Sequence, residues 1–126
     1  MTWVTSMVIS QGDIWLVEFY PNIGSEISKK RPAVVVNDNR IGKLPLKTIV
    51  PITDWSANYA QYPWMIAIEP NQSNGLSKPS AIDCFQIKSF SENRFDKRLG
   101  RIDDAMLYVI HQTIVKTLNI SYKIAQ

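Results

Sequence analysis

The stretch from Gly24 to Thr53 decides the predicted fold: it runs GSEISKKRP (24–32), AVVVND (33–38) and, after a turn, TIVPIT (48–53). The first segment is polar and basic, and the proline at position 32 biases Arg31 toward extended backbone. The valine run 34–36 is β-branched and apolar on both faces, which is typical of a central strand. The third segment predicts another strand, in which Pro51 would fit a bulge or an edge. Two neighbouring strand ends therefore present one arginine and one threonine.

Short strands and one helix are predicted around this stretch. The strands are expected at 13–20, 32–37, 47–53, 64–69 and 80–89, and Ser91 is expected to cap one helical turn. A helix is predicted over 103–118, with Asp103 as its N-cap and apolar residues recurring every four positions from Ile102 to Leu118. These elements predict a mainly β fold with a C-terminal α-helix, in the form of a small antiparallel barrel or a sheet capped by the helix.

Length and composition limit the class of protein. A chain of 126 residues without internal repeats predicts one domain, 1–126, with residues 1–9 as a loose N-terminal tail. No apolar run approaches the roughly 18 to 20 residues that span a bilayer, and residues 1–10 lack the pattern of a signal peptide. Cys84, the single cysteine, excludes an intrachain disulfide and suits a reducing compartment, so a cytoplasmic location is expected.

The basic residues fall into two clusters, although the net charge is only +3. One cluster is Lys29-Lys30-Arg31, and the other consists of Arg94, Lys97, Arg98 and Arg101. They are either two solvated faces or, if they meet in space, one surface that follows a phosphate backbone.

Several short motifs in a fixed order point to a known family. They are Gln11–Val17, Gly24-Ser25-Glu26, Arg31-Pro32, Pro51-Ile52-Thr53, Gly75-Leu76, Ser80–Lys88, Arg94-Phe95 and Leu99–Ile102. In order and spacing they resemble the MazF/PemK family of toxin endoribonucleases, and the resemblance covers residues 10 to 120. It implies an SH3-like barrel of the kind shared by MazF and CcdB toxins, and a homodimer.

The resemblance also implies an activity and partners. The expected function is sequence-specific, metal-independent cleavage of single-stranded RNA by 2′-hydroxyl attack, which leaves 2′,3′-cyclic phosphate and 5′-hydroxyl ends. No cofactor is expected. The chain would be the toxin of a toxin–antitoxin pair and would be silenced by a cognate MazE-like antitoxin, through which it could also contact operator DNA.

Site residues follow from the matching motif positions. Arg31 matches the family's catalytic arginine and Thr53 its catalytic threonine. The expected RNA-binding residues are Ser25, Glu26, Lys29, Lys30, Gln86 and Lys88, with Gln86 as a reader of base edges. The alternatives are loop capping for Ser25, a surface charge for Glu26 and a buried place in a strand ladder for Gln86.

The residue inventory narrows the chemistry. RNA cleavage needs a base for the 2′-hydroxyl, stabilisation of the phosphorane and an acid for the leaving 5′-oxygen. The chain has one histidine, His111, so a two-histidine mechanism within one chain is excluded. A guanidinium can fork two donors onto phosphate oxygens, but it is a poor base because it stays protonated at ordinary pH. One histidine and one cysteine cannot build a zinc site, so no metal is expected.

Some features leave alternatives open. Ser28-Lys29-Lys30 stands just before Arg31, where the family often has glycine, and Lys88-Ser89 replaces its commoner Arg-Thr pair. Both departures put the target sequence in doubt. The aromatics Trp55, Tyr59, Tyr62 and Trp64 could stack bases, pack in the core or form a dimer interface. A CcdB-like, non-enzymatic gyrase poison on the same fold and a binding-only barrel are the competing functions.

Overall fold

The computed structural model describes residues 8–19, 29–41 and 44–120, which form seven antiparallel strands and one α-helix. The strands are β1 (Asp13–Glu18), β2 (Lys30–Val35), β3 (Leu46–Asp54), β4 (Met65–Ile68), β5 (Ser80–Asp83), β6 (Lys88–Ser91) and β7 (Phe95–Arg101). They follow the order β4-β5-β3-β2-β1-β7, and β6 also pairs with β3. The helix, α1, spans Asp104–Thr117. The predicted class, mainly β with a C-terminal helix, is confirmed.

Strand β3 bends the sheet because it changes partner along its length. Its first half, Leu46 to Ile49, pairs with β6, and its last residues, Ile52 to Asp54, pair with β5. On this edge of β3, Pro51 lies between the residues that pair with β6 and those that pair with β5. Proline has no backbone N–H, so it is tolerated here because neither of these two ladders includes it. Among the described residues β4 and β7 end the strand path without pairing with each other, so the expected barrel is a bent sheet that stays open.

Alternation along β2 and β3 divides the apolar residues between two cores. Val34, Val50 and Ile52 face the helix, and their cluster includes Ile14, Ile82 and Ile110, which are fully buried. We call it the helix-side core. The site-side core, on the other face, consists of Ile9, Trp15, Val17, Phe19, Ala33, Val35, Ile49 and Phe95. The valine run therefore serves both faces, as its composition predicts.

Helix α1 begins and packs as its sequence predicts. The Asp103 carboxylate accepts a hydrogen bond from the backbone N–H of Met106 at 2.8 Å, a cap that is worth about 0.5–2 kcal/mol. Met106, Ile110 and Ile114 lie against the helix-side core. The helix ends before Asn119, whose positive φ of 53° turns the chain away. No helix in the described ranges is long and apolar enough to cross a bilayer.

The strand expected over 80–89 is wrong as one element. It divides into β5 and β6, and a 3-10 turn over Cys84–Gln86 separates them. The turn forms because the Asp83 side chain accepts a hydrogen bond from the N–H of Phe85, so the chain leaves the ladder at that point. Ser91 caps the next short turn, as expected, by accepting from Asn93 N–H.

Strand β7 has no counterpart among the predicted elements. Four of its seven residues are charged (Asp96, Lys97, Arg98 and Arg101), so its pattern resembles a solvated segment. It pairs with β1 at the edge of the sheet, where charged residues are tolerated because one side faces water.

Ile9 is the last residue of the loose N-terminal tail that the sequence predicts over residues 1–9. It is 8% exposed and belongs to the site-side core, together with Trp15 and Phe19. Residues 1–7 lie outside the described residues.

Candidate active site

Arg31 and Thr53 come together at the open end of the β2–β3 pair. The last pair in the ladder is Ala33 with Pro51, and the same antiparallel register carried two residues further sets Arg31 across from Thr53. Because side chains alternate along a strand, both residues belong to the face of the site-side core. Both side chains are half-buried. The two motif positions that the sequence singles out, 22 residues apart in the chain, thus converge from neighbouring strands.

Two clefts meet at this pair. The lysine cleft, about 430 Å³, is lined by Lys29, Lys30, Arg31, Pro32, Ile52, Thr53, Asp54, Leu76, Ser77, Lys78 and Ser80. The aspartate cleft, about 340 Å³, is lined by Phe19, Arg31, Pro51, Thr53, Tyr59, Asp83 and Gln86. Arg31 and Thr53 line both clefts. An extended polymer bound along the two clefts would therefore pass over the guanidinium and the hydroxyl.

The lysine cleft is positively charged. Lys78 Nζ lies 3.0 Å from an Asp54 carboxylate oxygen, and Lys30 Nζ lies 3.5 Å from Asp96. All four side chains are substantially exposed, so these ion pairs are weak. The lysines can therefore exchange their carboxylate partners for phosphate at little cost.

The aspartate cleft has a fixed polar floor. Asp83 is 7% exposed, and its carboxylate accepts hydrogen bonds from Phe85 N–H at 3.1 Å and from Gln86 Nε2 at 2.8 Å. Gln86 itself is exposed and lies in the 3-10 turn, so the alternative of a buried place in a strand ladder is wrong. Lys88 Nζ lies 5.9 Å from the centroid of the Phe19 ring, at the side of the same cleft.

The structure brings the expected site residues that it describes to the two clefts or beside them. Lys29, Lys30 and Gln86 line the clefts, and Lys88 adjoins them through Phe19. Ser25 and Glu26 lie outside the described residues. His111 is remote from the clefts, with its Nε2 3.0 Å from the carbonyl oxygen of Val36.

The second basic cluster does not join the first around the clefts, since none of its four residues lines them. Arg94 donates to the carbonyl oxygen of Glu18 at 3.1 Å, and its guanidinium lies 5.0 Å from the centroid of the Phe90 ring. Arg98 donates to the buried Asp13 carboxylate at 3.3 Å. Both arginine side chains therefore make contacts within the sheet and not at the two clefts.

The aromatic residues after β3 form a continuous strip on the surface. Successive ring centroids lie 6.0 Å (Trp55–Tyr59), 6.2 Å (Tyr59–Tyr62), 4.9 Å (Tyr62–Trp64) and 5.8 Å (Trp64–Phe85) apart. None of these residues belongs to either core, so the core-packing alternative is wrong. Tyr59 reaches the aspartate cleft from this strip.

Sequence reasoning missed two groups at the site, Asp83 and Lys78. The spacing of Asp83 and Gln86, three residues apart, was the available signal, because this spacing brings the side chains together in a helical turn but not in a strand. The neighbouring Cys84 is fully buried, and this burial, with the nearby Asp83 carboxylate, raises the pKa of its thiol from 9.0 to about 12. Cys84 is therefore a packing residue, in agreement with the prediction.

The chain is similar in sequence to known endoribonucleases along most of its length. Endoribonuclease MazF9 of Mycobacterium tuberculosis is 29% identical over 114 residues, covering 85% of this chain and 93% of the relative. Endoribonuclease EndoA of Bacillus subtilis is 22% identical over 108 residues, covering 86% of this chain and 92% of the relative.

Solved structures share the fold. A MazE–MazF complex from Deinococcus radiodurans contains a chain that matches with a TM-score of 0.74 and 21% identity, over 92% of this chain and 100% of that one. The Mycobacterium tuberculosis toxin MazF-mt6 matches with a TM-score of 0.69 and 15% identity, over 87% and 99%. A family model described as the PemK-like, MazF-like toxin of type II toxin–antitoxin systems matches residues 10–118, and this chain therefore belongs to that toxin family.

Proposed function

We propose that this chain is a sequence-specific endoribonuclease that cuts single-stranded RNA without a metal ion and is the toxin of a toxin–antitoxin pair. The toxin family and relatives that are endoribonucleases by name support this proposal. The observation that carries it is the meeting of Arg31 and Thr53 where the two clefts join.

In the proposed reaction the RNA attacks its own backbone. The 2′-oxygen forms a bond to phosphorus as the 2′-hydroxyl proton leaves, and the bond from phosphorus to the 5′-oxygen breaks as that oxygen gains a proton. The products are a 2′,3′-cyclic phosphate and a 5′-hydroxyl. Arg31 stabilises the charge that builds up on the phosphorane through two parallel N–H donors, and this requires no metal.

Thr53 has a separate role in this proposal. Its hydroxyl donates to a phosphate oxygen or orients the 2′-hydroxyl for attack. Because a guanidinium stays protonated at ordinary pH, proton transfer passes through water relayed at the Arg31–Thr53 pair.

In this proposal, RNA phosphates on both sides of the scissile phosphate contact lysine side chains around the clefts. Lys29 and Lys30 in the lysine cleft, and Lys88 beside the aspartate cleft, bind the RNA backbone, while Gln86 contacts a base. Ser25 and Glu26, which match the family's Gly-Ser-Glu motif, contact the RNA as well in this proposal. A flexible acidic segment of a MazE-like antitoxin silences the toxin by crossing this basic groove, and the complex contacts operator DNA through the antitoxin.

Cleavage of a long single-stranded RNA in EDTA tests the proposal, with the cut sites mapped by primer extension. Arg31→Ala is expected to lower the rate by about 10²–10³-fold or more, because the transition-state charge loses its donor pair. Arg40→Ala is the matched control, since Arg40 is an exposed arginine paired with Asp38 at 2.6 Å and lines neither cleft. Circular dichroism checks that both variants fold.

Three outcomes would count against the proposal: a strict requirement for magnesium, full activity of Arg31→Ala, or cutting of an all-deoxy substrate, which has no 2′-hydroxyl. Toxicity that depends on gyrase and occurs without RNA breakage would favour the gyrase-poison alternative.

A further inference from the structure

We propose that Gln86 and Asp83 form an acceptor pair that selects guanine beside the scissile phosphate, with Asp83 setting the orientation of the Gln86 amide. The inference rests on the proposed function, since it names the base that the aspartate cleft accepts. It assigns a specificity role to Asp83, which no sequence motif indicates.

The hydrogen bond between the two side chains determines which way the Gln86 amide points. An ionised carboxylate can only accept hydrogen bonds, so the amide nitrogen of Gln86 must face Asp83, at 2.8 Å. The amide oxygen is then directed away from the carboxylate. Within the described residues no group donates to this oxygen, and the side chain is exposed at the cleft. Gln86 thus offers the cleft an acceptor.

Asp83 adds acceptor capacity at the floor of the same cleft. Its two oxygens receive one hydrogen bond each, from Phe85 N–H and from Gln86, whereas a carboxylate has about four acceptor positions. With 7% of its surface exposed, the carboxylate is anchored and pre-oriented. The floor of the cleft therefore presents neighbouring acceptors.

Guanine is the base whose pairing edge fits two neighbouring acceptors. Its N1–H and N2 amine are adjacent donors, whereas the pairing edges of adenine, cytosine and uracil set a single donor group beside acceptors. Pairing edges are free in single-stranded RNA. Phe19 and Tyr59 line the same cleft and supply ring faces for stacking, and its volume of about 340 Å³ lies within the range of small-molecule sites.

A purely structural role is the competing explanation, because Asp83 also caps the 3-10 turn. Asp83→Asn separates the two roles. The asparagine oxygen can still accept from Phe85 N–H and preserve the cap. Its new amide group would then donate to Gln86, which turns the Gln86 amide around and presents its NH₂ group to the cleft. The substitution keeps the turn and changes the reading group from an acceptor to a donor.

The experiment maps cut sites on an RNA pool that is randomised around one position. For the wild type we expect guanine at one position next to the cut, and for Asp83→Asn a loss of that preference of about tenfold or more, with bases that present acceptors gaining. Inosine, which lacks the N2 amine, should replace guanine poorly in the wild type. The analogue 7-deazaguanine keeps the pairing edge and should be cut as guanine is.

Asp103→Asn is the matched control, because Asp103 caps α1 through the same kind of contact and is remote from the cleft. It should keep the guanine preference. A wild type that cuts RNA with no guanine next to the cut, or an Asp83→Asn protein with unchanged preference, would overturn the inference and leave the proposed function standing.

If the wild type cuts no RNA, the proposed function fails, and binding tests the inference separately. Arg31→Ala protein is titrated with short fluorescent RNAs that differ by guanine or adenine at one position. Tighter binding of the guanine RNA, which Asp83→Asn abolishes, supports the base-reading pair. Equal binding of both RNAs overturns it.

Discussion

Thr53 contributes a single hydroxyl to a site whose other strand contributes a guanidinium. The residue lies at the end of β3, where pairing with β5 holds its backbone opposite Ala81. In the proposed reaction its hydroxyl acts on a bound phosphate, and the backbone ladder does not depend on this side chain.

Replacement of Thr53 by valine tests that hydroxyl. Valine keeps the β-branched shape and removes the donor, so we expect kcat to fall about 10²-fold with KM nearly unchanged, since the lost contact acts mainly in the transition state. Steady-state cleavage of a fluorogenic RNA over a range of substrate concentrations measures both constants. Thr53→Ser keeps a hydroxyl and should retain most of the activity. An unaltered cleavage rate in Thr53→Val would show that the Thr53 hydroxyl is not catalytic.

At the scale of residues, the sequence indicated Arg31 and Thr53 but not Asp83. The first two lie in motifs whose order can be compared with a family. Asp83 lies in the motif Ser80–Lys88 too, but its role depends on a turn that lets it contact Gln86, where the sequence predicts a continuous strand.

Close contact of backbones, rather than side-chain packing, joins the turn before β5 to strand β7. Gly75 has a φ of 70°, and a β-carbon built there would lie 2.0 Å from the carbonyl oxygen of Leu99. From the opposite side, a β-carbon on Gly100 would lie 2.3 Å from the carbonyl oxygen of Ser73. The two glycines let the segments touch, and Arg101 N–H donates to the same Ser73 oxygen at 2.9 Å.

Gly75→Ala should therefore destabilise the fold by more than the roughly 1–3 kcal/mol that positive φ alone costs. Gly12→Ala is the matched control: its φ is 89°, but the nearest atom to a new β-carbon is the flexible end of Arg101 at 3.1 Å. Urea unfolding followed by tryptophan fluorescence measures both free energies. Equal destabilisation by the two substitutions would contradict the backbone clash.

At the scale of elements, periodicity predicted α1 and most strands. It did not predict the edge strand β7 or the break between β5 and β6. Helix α1 has a strong cap and an apolar stripe, so local pattern was sufficient. Strand β7 is charged because one side faces water, and its pairing with β1 stabilises it despite that composition. The break after β5 depends on one side-chain hydrogen bond, from Phe85 N–H to Asp83, which periodicity does not register.

The whole molecule presents apolar surface that a second copy could cover. Tyr108, Val109 and Leu118 on and just after α1 are 64%, 44% and 59% exposed. These exposures support the homodimer that the family resemblance implies, which stays a prediction.

A homodimer should have twice the mass of one chain, which is 14.4 kDa. Sedimentation equilibrium over a range of micromolar concentrations measures that mass, and we expect the dimer to persist on dilution because apolar burial stabilises it. A single species of 14.4 kDa over the whole range would contradict this proposal.

The sequence by itself determined the strands around the valine run, the C-terminal helix and the candidate Arg31–Thr53 pair, because alternation, capping and motif order are local properties. The tertiary structure alone decided that this pair opens onto two clefts and that Asp83 and Gln86 form the floor of one of them. The physical reason is the change of partner along β3, which bends the sheet: which strand pairs with which half of β3 depends on contacts between residues distant in the sequence.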